Sequence, residues 1–340
     1  MNRKQLVILS GLVIVLGIAG LLLYKRSQTT WQVSPQQPGK KLLGDLPVND
    51  IAQITIRAGT NELILAKKEG TWRVRQRADY PANYGEISST LLKLAELKAV
   101  QVEDVTPAQF ARYGLLPPGP GTNTAVLVEL SDQAGKPIMS ILLGKQHMRK
   151  PARVSPMDDF GGPGWPDGRY VMVGTNAPTV ALVSETFTQL EPKPEQWLNK
   201  EFFKLSKIKT AAVEHKVATN SWKLARETET GEWKLAEPQP GETLDKTRAS
   251  SLNYALSSPY FNDVLPPDTP LESLGLDKPT VIKIETFDNF SYTIRVGTKT
   301  NDALPITVAV TANLQKERTP APDEKPEDKE RLDKEFKENL

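Results

Sequence analysis

The apolar positions of this chain follow one order twice. Apolar and polar residues first alternate over 51–74, as they do in half-buried strands. Ile87, Leu91 and Leu94 then make an apolar face at helical spacing, and further alternating segments follow. The same order returns from about residue 208. The pattern therefore predicts an internal repeat, with two copies of one module built of strands and a helix.

Short motifs mark the ends of this repeated stretch. The first copy opens with Gly-x-Trp at 70–72 and closes with Tyr-Gly-Leu at 113–115. The second copy opens with Gly-x-Trp at 231–233 and closes with Leu-Gly-Leu at 274–276. From Trp to the central Gly both copies span 42 residues (114 − 72 and 275 − 233). We predict that the copies superpose, that both tryptophans are buried between sheet and helix, and that both glycines are left-handed helix C-caps.

The repeat sets the predicted fold class. We expect an α+β protein, in which an N-terminal transmembrane helix is followed by two tandem copies of a mostly antiparallel sheet-plus-helix module. Asn83 and Asp245 are the predicted helix N-caps, and the helix of the second copy is expected to run on to Leu256. Residues 51–74 are predicted to form a three-stranded meander. Further strands are predicted at 125–130, 138–143, 170–173, 180–183, 280–286, 292–296 and 306–310.

Residues 6–24 form an uncharged apolar run of 19 residues, about the length that crosses a hydrocarbon core as a helix. Basic residues flank the run on both sides, at 3–4 and 25–26. The alternative, a cleaved signal peptide, is disfavoured by the length of the run and by the poor cleavage site that follows it. We therefore expect a single-pass cell-membrane protein whose bulk lies on the extracytoplasmic (periplasmic) side.

Changes in composition suggest the domain boundaries. Residues 315–340 are charged and almost free of apolar side chains, which predicts a disordered tail whose end, 326–340, has the alternative of a solvated helix. The predicted parts are a transmembrane anchor at 1–27, a linker at 28–45, a first α+β module at 46–200, a second at 201–314 and the charged disordered tail at 315–340.

Composition and motifs exclude several functions. The 43 basic and 41 acidic residues give a net charge of +2, which offers no basic field for nucleic acid. Zero cysteines exclude disulfides, thiolate catalysis and cysteine-based zinc sites. His147 and His215 have no neighbouring His or Cys ligand, and the acids at 158, 159 and 167 lack the spacing of a calcium loop. We therefore predict no enzyme, no catalytic residue, no cofactor and no metal.

One segment of the first copy has no counterpart in the second. It is the Pro- and Gly-rich loop 160–169, which carries Phe160, Trp165 and Arg169. Trp and Arg are enriched at interface hot spots, so we predict that these three residues bind a partner protein. The alternative is that Trp165 folds back as a lid over the end of its own sheet.

The motifs resemble a bacterial family described only as a domain of unknown function. The resemblance covers about 43–310 and is carried by Gly70, Trp72, Tyr113, Gly114, Leu115, Gly144, Lys145 and Tyr170. The second copy departs from it with Leu274 in place of Tyr and Thr298 in place of Lys. Members of that family typically have one N-terminal transmembrane helix and are often encoded beside gliding-motility-type ABC transporter components. The resemblance implies an auxiliary role beside such transporters and carries no catalytic residues.

These observations lead to one expected function and two alternatives. We expect a non-enzymatic, membrane-anchored extracytoplasmic subunit of a membrane complex, whose partners include the membrane and other subunits, among them ABC transporter components. The alternatives are an envelope glycan-binding protein and a carboxylate-dependent glycan hydrolase. A row of exposed aromatics would favour the first alternative, and a cleft holding acids with shifted pKa values would favour the second.

Overall fold

The computed structural model of the chain describes residues 40–149, 164–300, 303–313 and 326–338. The apolar run 6–24 and Phe160 lie outside these residues. Within the described ranges, no helix combines the length and the apolar composition that crossing a membrane requires. The chain divides into two compact units, Met1–Asn199 and Lys200–Leu340, which we call the first and the second unit.

The described residues form short helices and longer strands. The α-helices are α1 (Tyr84–Ala95), α2 (Phe110–Tyr113), α3 (Lys246–Ser250) and α4 (Pro326–Glu338). The strands are β1 (Gln53–Ala58), β2 (Asn61–Lys68), β3 (Thr71–Val74), β4 (Tyr80–Pro81), β5 (Ala99–Asp104), β6 (Val126–Ser131), β7 (Pro137–Arg149), β8 (Trp165–Val173), β9 (Thr179–Val183), β10 (Ile208–Glu214), β11 (Trp222–Ala225), β12 (Lys234–Leu235), β13 (Thr280–Thr286), β14 (Phe290–Val296) and β15 (Ile306–Ala312). Single 3-10 turns occupy Val48–Asp50, Arg75–Arg77, Pro107–Gln109, Pro194–Gln196, Ala218–Asn220, Ser251–Asn253 and Glu272–Leu274.

The first unit is built on one nine-stranded sheet in the order β4-β3-β2-β1-β6-β7-β8-β9-β5. Every pairing in this sheet is antiparallel. The predicted meander is confirmed as β1, β2 and β3, and its alternation buries Ile54, Ile56, Leu63 and Leu65 completely. One face of this sheet therefore lines the core of the unit.

Helix α1 follows the meander, and its N-cap agrees with the sequence prediction. The Asn83 Oδ1 accepts a hydrogen bond of 3.3 Å from the backbone N–H of Glu86. Ile87, Leu91 and Leu94 are buried, which confirms the predicted apolar face. After β5 the chain makes the short helix α2 and ends it at Gly114, whose φ of 66° is the predicted left-handed C-cap.

The second unit is built on a six-stranded antiparallel sheet in the order β12-β11-β10-β13-β14-β15. Its core collects Leu205, Ile208, Leu224, Trp233 and Ile284. The Asp245 side chain caps α3 as predicted, since its Oδ1 accepts from the N–H groups at 247 and 248. Gly275, with φ 66°, ends a 3-10 turn as the second predicted left-handed cap.

The predicted fold class, an α+β protein of sheet-plus-helix modules, is wrong, and the transmembrane helix expected in front of the modules lies outside the described residues. The described residues form two mostly antiparallel sheets with few helices, and none of those helices spans a membrane. In the second unit α3 ends at Ser250 instead of continuing to Leu256. The hydroxyls of Ser250 and Ser251 donate to the carbonyls at 247 and 248, and such bonds compete with the helical ladder. Leu256 has φ 56°, which no helix accommodates.

Two further regions differ from the sequence expectations in detail. Trp165–Val173 form one strand, so the predicted loop through Arg169 is wrong from Trp165 onward. Strand β5 was not predicted, and it completes the sheet of the first unit beside β9. Within the predicted tail, Pro326–Glu338 form helix α4, in which Arg331 donates to Asp328 at 3.1 Å.

Candidate functional site

Strands β7 and β8 form a ribbon that two bulges distort. β7 pairs with β8 at Leu143↔Val171 and next at Gln146↔Arg169, so Gly144 and Lys145 together lie opposite Tyr170. Farther along, His147 pairs with Gly168 and Met148 with Pro166, which leaves Asp167 as an extra residue of β8. Bulges bend a strand and redirect its side chains, and they are frequent beside functional sites. Because it contains two bulges in succession, this ribbon is the candidate location of a functional site.

The first bulge packs directly against the turn that contains Gly114. A Cβ atom on Gly144 would overlap the carbonyl oxygen of Tyr113 and lie 3.0 Å from the Leu115 side chain. A Cβ atom on Gly114 would lie 2.8 Å from the Cγ of Lys145. Both positions are therefore limited to glycine by close approach, and Gly114 by its positive φ as well. Tyr113, Gly114, Leu115, Gly144 and Lys145 thus meet at one place in the fold.

Polar and aromatic side chains gather beside this contact. The Tyr113 hydroxyl donates a short hydrogen bond to the Glu103 carboxylate, and the Tyr113 and Tyr170 rings meet edge to face at 5.1 Å. The His147 ring lies 6.1 Å from the Tyr170 ring, and its Nδ1 is 2.6 Å from the Asp167 Oδ1. We call Glu103, Tyr113, His147, Asp167 and Tyr170 the tyrosine–histidine cluster.

The electrostatics of the cluster fix Tyr113 as a hydrogen-bond donor. The hydrogen bond to Glu103 raises the pKa of Tyr113 above 10.0, and burial and the negative charge of Glu103 raise it further. The guanidinium of Arg112 lies 5.4 Å from the Tyr113 ring centre and acts weakly in the opposite direction. The Lys145 Nζ donates to the Arg112 carbonyl at 3.2 Å, so it belongs to the same surface.

His147 and Asp167 form an acid–base pair at the surface. Their side chains keep 40% and 30% of their accessibility, so the pair is open to solvent. Among the described residues no group of three His, Cys, Asp or Glu side chains is placed to hold a metal ion. The prediction for His147 concerned metal ligands and did not foresee its bond to Asp167. Because the two residues are 20 apart in sequence, only the pairing of β7 with β8 brings them together.

The structure separates the predicted partner-binding residues. Trp165 is 53% exposed at the first position of β8, and Phe160 lies outside the described residues. Arg169 points inward instead: its Nε donates to the Gly144 carbonyl at 2.9 Å, and its Nη1 donates to the carbonyls of Thr186 and Phe187 at 3.2 and 3.1 Å. Burial lowers the pKa of Arg169, as expected for a cation held among backbone carbonyls. These bonds engage its Nε and Nη1 within the protein and hold the ribbon, while contact of Arg169 with a partner stays a prediction.

A different arginine accompanies Trp165. Arg149 lies directly opposite Trp165 across the two strands, and both residues are exposed. Directly opposite residues of an antiparallel pair share one face, so the ribbon presents Trp165 and Arg149 together. Met148, 44% exposed, lies opposite Pro166 and therefore on the other face. Sequence reasoning missed Arg149 and Met148 because the spacing 149 to 165 shows no relation until the strands are paired.

The chain belongs to the protein family described as a domain of unknown function (DUF4340). The family model matches residues 72–279, which are 208 of the 340 residues (279 − 72 + 1). The match begins at Trp72 and includes Trp233, the tryptophans that open the two copies. It also includes the whole tyrosine–histidine cluster and the ribbon. The chain has no significant match among curated proteins or among solved structures.

Proposed function

We propose that this protein is a non-enzymatic, membrane-attached extracytoplasmic subunit of a membrane complex, and that it binds its partner through Arg149 and Trp165 of the β7–β8 ribbon. One observation carries the proposal: an exposed tryptophan and an exposed arginine lie opposite each other on a strand pair. Trp and Arg are the residue types most enriched at interface hot spots. We call Arg149 and Trp165 the ribbon pair.

The ribbon suits binding because its backbone is already ordered. Hydrogen-bonded strands hold Arg149 and Trp165 in register, and Arg169 ties the base of the ribbon to the carbonyls of Gly144, Thr186 and Phe187. A preorganised surface loses less conformational entropy on association than a free loop does. The inward side chain of Arg169 therefore supports the proposed contact indirectly, by positioning the strand that carries Trp165.

Attachment to the membrane and the kind of partner rest on the sequence. The apolar run 6–24 supports attachment, because 19 uncharged residues bury enough apolar surface to hold a chain in a bilayer. The resemblance to proteins encoded beside gliding-motility-type ABC transporter components supports a transporter complex as the partner. We propose that the protein is auxiliary to such a transporter and faces the periplasmic side.

The test is a pull-down of the full chain from native membranes in mild detergent. Trp165→Ala should release the transporter components that the wild-type protein retains, while the melting temperature stays nearly unchanged because the side chain is exposed. Trp222→Ala is the matched control, since Trp222 is an exposed strand tryptophan of the second unit (37%) and should keep the partner. Retention of the same components by Trp165→Ala, together with a large drop in melting temperature, would show that Trp165 is a lid.

A glycan-directed function is the second candidate, and the tyrosine–histidine cluster favours it. Asp167 keeps 30% of its side-chain accessibility and lies in one cluster with the half-buried ring of Tyr170, and a carboxylate beside an aromatic ring can bind a sugar. Asp167→Asn distinguishes the candidates. Loss of binding to isolated envelope glycan, with the pull-down unchanged, would support the glycan function. Unchanged behaviour in both assays would leave the cluster with a structural role only.

A further inference from the structure

The two sheets differ in how their edges are protected. The sheet of the first unit ends in β4, which is two residues long and contains Pro81, and in β5, which carries Glu103 and Asp104. The sheet of the second unit ends on one side in β12, also two residues long. Short strands, proline and charge all prevent a sheet edge from pairing with another chain. Three of the four edges therefore carry a recognised protection.

The fourth edge, β15, carries none of these protections. It has seven residues (Ile-Thr-Val-Ala-Val-Thr-Ala) with no charge and no proline, and among the described residues no strand pairs with its outer side. Six of the seven are exposed, including Ile306 and Val310. In the first unit, β8 holds the corresponding place after β6 and β7, and β9 covers it. A long, uncharged, apolar edge is a template for strand addition.

The pairing of β15 with β14 shows which backbone groups point outward. The Gly297 N–H donates to the Pro305 carbonyl at 2.8 Å, and the Asn313 N–H donates to the Asn289 carbonyl at 3.0 Å. The register between these two bonds is regular, so the odd-numbered residues of β15 bond to β14. The N–H and C=O groups of the even-numbered residues therefore point away from the sheet, and these residues are Ile306, Val308, Val310 and Ala312.

The sequence of β15 reads the same in both directions about Ala309. Its central five residues are Thr-Val-Ala-Val-Thr at 307–311. If a second copy of β15 pairs antiparallel with Ala309 opposite Ala309, Thr307 meets Thr311 and Val308 meets Val310. In this register the numbers of two paired residues always sum to 618 (309 + 309), which is even. The outward even-numbered residues of one copy therefore lie opposite the outward even-numbered residues of the other. One register therefore pairs like side chains across the two strands and also lets their outward N–H and C=O groups form hydrogen bonds.

We propose that β15 pairs with the β15 of a second copy of this chain, making a twofold-symmetric dimer with its axis at Ala309. A twofold interface requires a surface that is complementary to itself, and a palindromic uncharged strand with outward bonding groups on matching residues meets that requirement. The absence of charge from β15 removes the repulsion that would oppose two identical strands. Pairing with the strand of a different protein would not require β15 to read the same in both directions. The palindrome therefore favours a second copy of this chain as the occupant.

Disulfide trapping tests the register on the full chain in detergent, because the protein has no cysteine of its own. At Ala309→Cys the two Cα atoms would lie about 4.5 Å apart, as in a non-hydrogen-bonded pair, within disulfide range. We expect a dimer-sized band under mild oxidation that disappears on reduction. Thr311→Cys is the matched control: each residue 311 is offset by four positions from its copy, roughly 14 Å along the strand, and should not cross-link with itself.

Two further variants sharpen the test. Thr307→Cys and Thr311→Cys should each form no disulfide cross-link alone but form a mixed disulfide when the two proteins are combined. Val310→Lys in the Ala309→Cys background should remove the dimer band with little change in melting temperature, since Val310 is 47% exposed. Equal cross-linking at 309 and 311, or a cross-link that Val310→Lys leaves intact, overturns the proposal. Trp165→Ala should keep the 309 cross-link, so this interface and the ribbon contact can fail separately.

Discussion

The two units share one scaffold and differ in what is added to it. The order β3-β2-β1-β6-β7-β8 in the first unit matches β12-β11-β10-β13-β14-β15 in the second. The same glycine contact recurs: a Cβ on Gly297 would overlap the Leu274 carbonyl, as one on Gly144 would overlap the Tyr113 carbonyl. The first unit adds β4, β9, β5 and the tyrosine–histidine cluster, whereas the second leaves β15 as an open edge. What the units share is therefore the scaffold, and the added strands and the cluster are specific to the first unit.

The second unit shows what the scaffold needs. In the second unit Leu274 takes the place of Tyr113. Thr298, which follows the close-packed Gly297, takes the place of Lys145, which follows Gly144. The Thr298 N–H donates to the Leu274 carbonyl at 2.9 Å, so the turn and the strand still meet without tyrosine or lysine. Tyr113 and Lys145 are thus not required by the strand order, since the second unit keeps that order without them.

The two tryptophans also have different surroundings. Each is 6% exposed, which confirms the predicted burial. Trp233 donates from its Nε1 to the Asn253 Oδ1 at 3.1 Å, and the guanidinium of Arg226 stacks 4.7 Å from its ring centre. Arg226 is itself buried and donates to the Ile208 carbonyl at 2.6 Å. The second unit therefore holds its tryptophan with polar contacts in addition to apolar packing.

Replacing the tryptophans is expected to have the largest effect. Trp72→Ala and Trp233→Ala should each lower the free energy of unfolding of their unit by about 3–5 kcal/mol, since a large buried side chain is lost in both. Because Trp233→Ala also removes the hydrogen bond to Asn253 and the ring beside the Arg226 guanidinium, we expect it to reach the upper end of that range. Chemical denaturation followed by circular dichroism measures both.

The matched control for this prediction is Trp222→Ala, whose side chain is partly exposed. It should change the free energy of unfolding by roughly 0.5 kcal/mol or less. A Trp72→Ala variant as stable as the Trp222→Ala variant would show that the shared motif does not anchor a core, and the comparison between units would lose its basis.

Local patterns in the sequence predicted several elements of the scaffold, but not its fold class. The alternation over 51–74 predicted the meander, the caps at Asn83 and Asp245 were correct, and the spacing from Trp to Gly located both left-handed glycines. Each of these features depends on residues near one another in the chain. The helix of the second unit was overestimated because apolar spacing alone did not weigh the hydroxyls of Ser250 and Ser251.

The candidate site could not be predicted because long-range strand pairing creates it. Glu103, Tyr113, His147, Asp167 and Tyr170 come from β5, α2, β7 and β8. Two bulges decide which of their side chains meet, and a bulge leaves no periodic mark in one sequence. Arg169 was predicted to contact a partner because of its residue type alone. The direction of its side chain depends on three backbone carbonyls that are distant from it in the sequence.

The glycine contact is expected to give the next largest effect. Gly144→Ala and Gly297→Ala should each destabilise their unit by about 1–3 kcal/mol, because the added methyl group meets a backbone carbonyl that cannot move away cheaply. Thermal unfolding of the two single variants measures the cost. Gly119→Ala is the control, since a Cβ there meets nothing within 4 Å and the melting temperature should not fall. A large effect at Gly144 with none at Gly297 would mean that the two turns are not equivalent.

Tyr113→Phe is expected to have the smallest effect, and it sharpens the comparison because the second unit has Leu274 at this place. Loss of the hydroxyl removes one hydrogen bond to Glu103 and should cost about 0.5–1.5 kcal/mol near neutral pH. The pKa of Tyr113 is raised in the folded state, so its contribution is fully present below the unfolded pKa and is lost as the pH rises through the folded value. The stability of the wild-type protein should therefore fall towards that of Tyr113→Phe above about pH 10.

Denaturant titrations of both proteins between pH 7 and pH 11 measure this convergence. Tyr84→Phe is the control, because that side chain is 68% exposed and loss of its hydroxyl should leave the stability unchanged. Tyr80, whose pKa burial also raises, is present in all three proteins, so its ionisation cancels in the difference. If the gap between wild type and Tyr113→Phe stays constant up to pH 11, the hydroxyl of Tyr113 does not depend on Glu103, and the cluster in the first unit is not the coupled set of groups described above. If the difference in stability closes, the Tyr113 hydroxyl is a neutral donor to Glu103 across the physiological pH range. The second unit has leucine at this place and cannot supply such a donor.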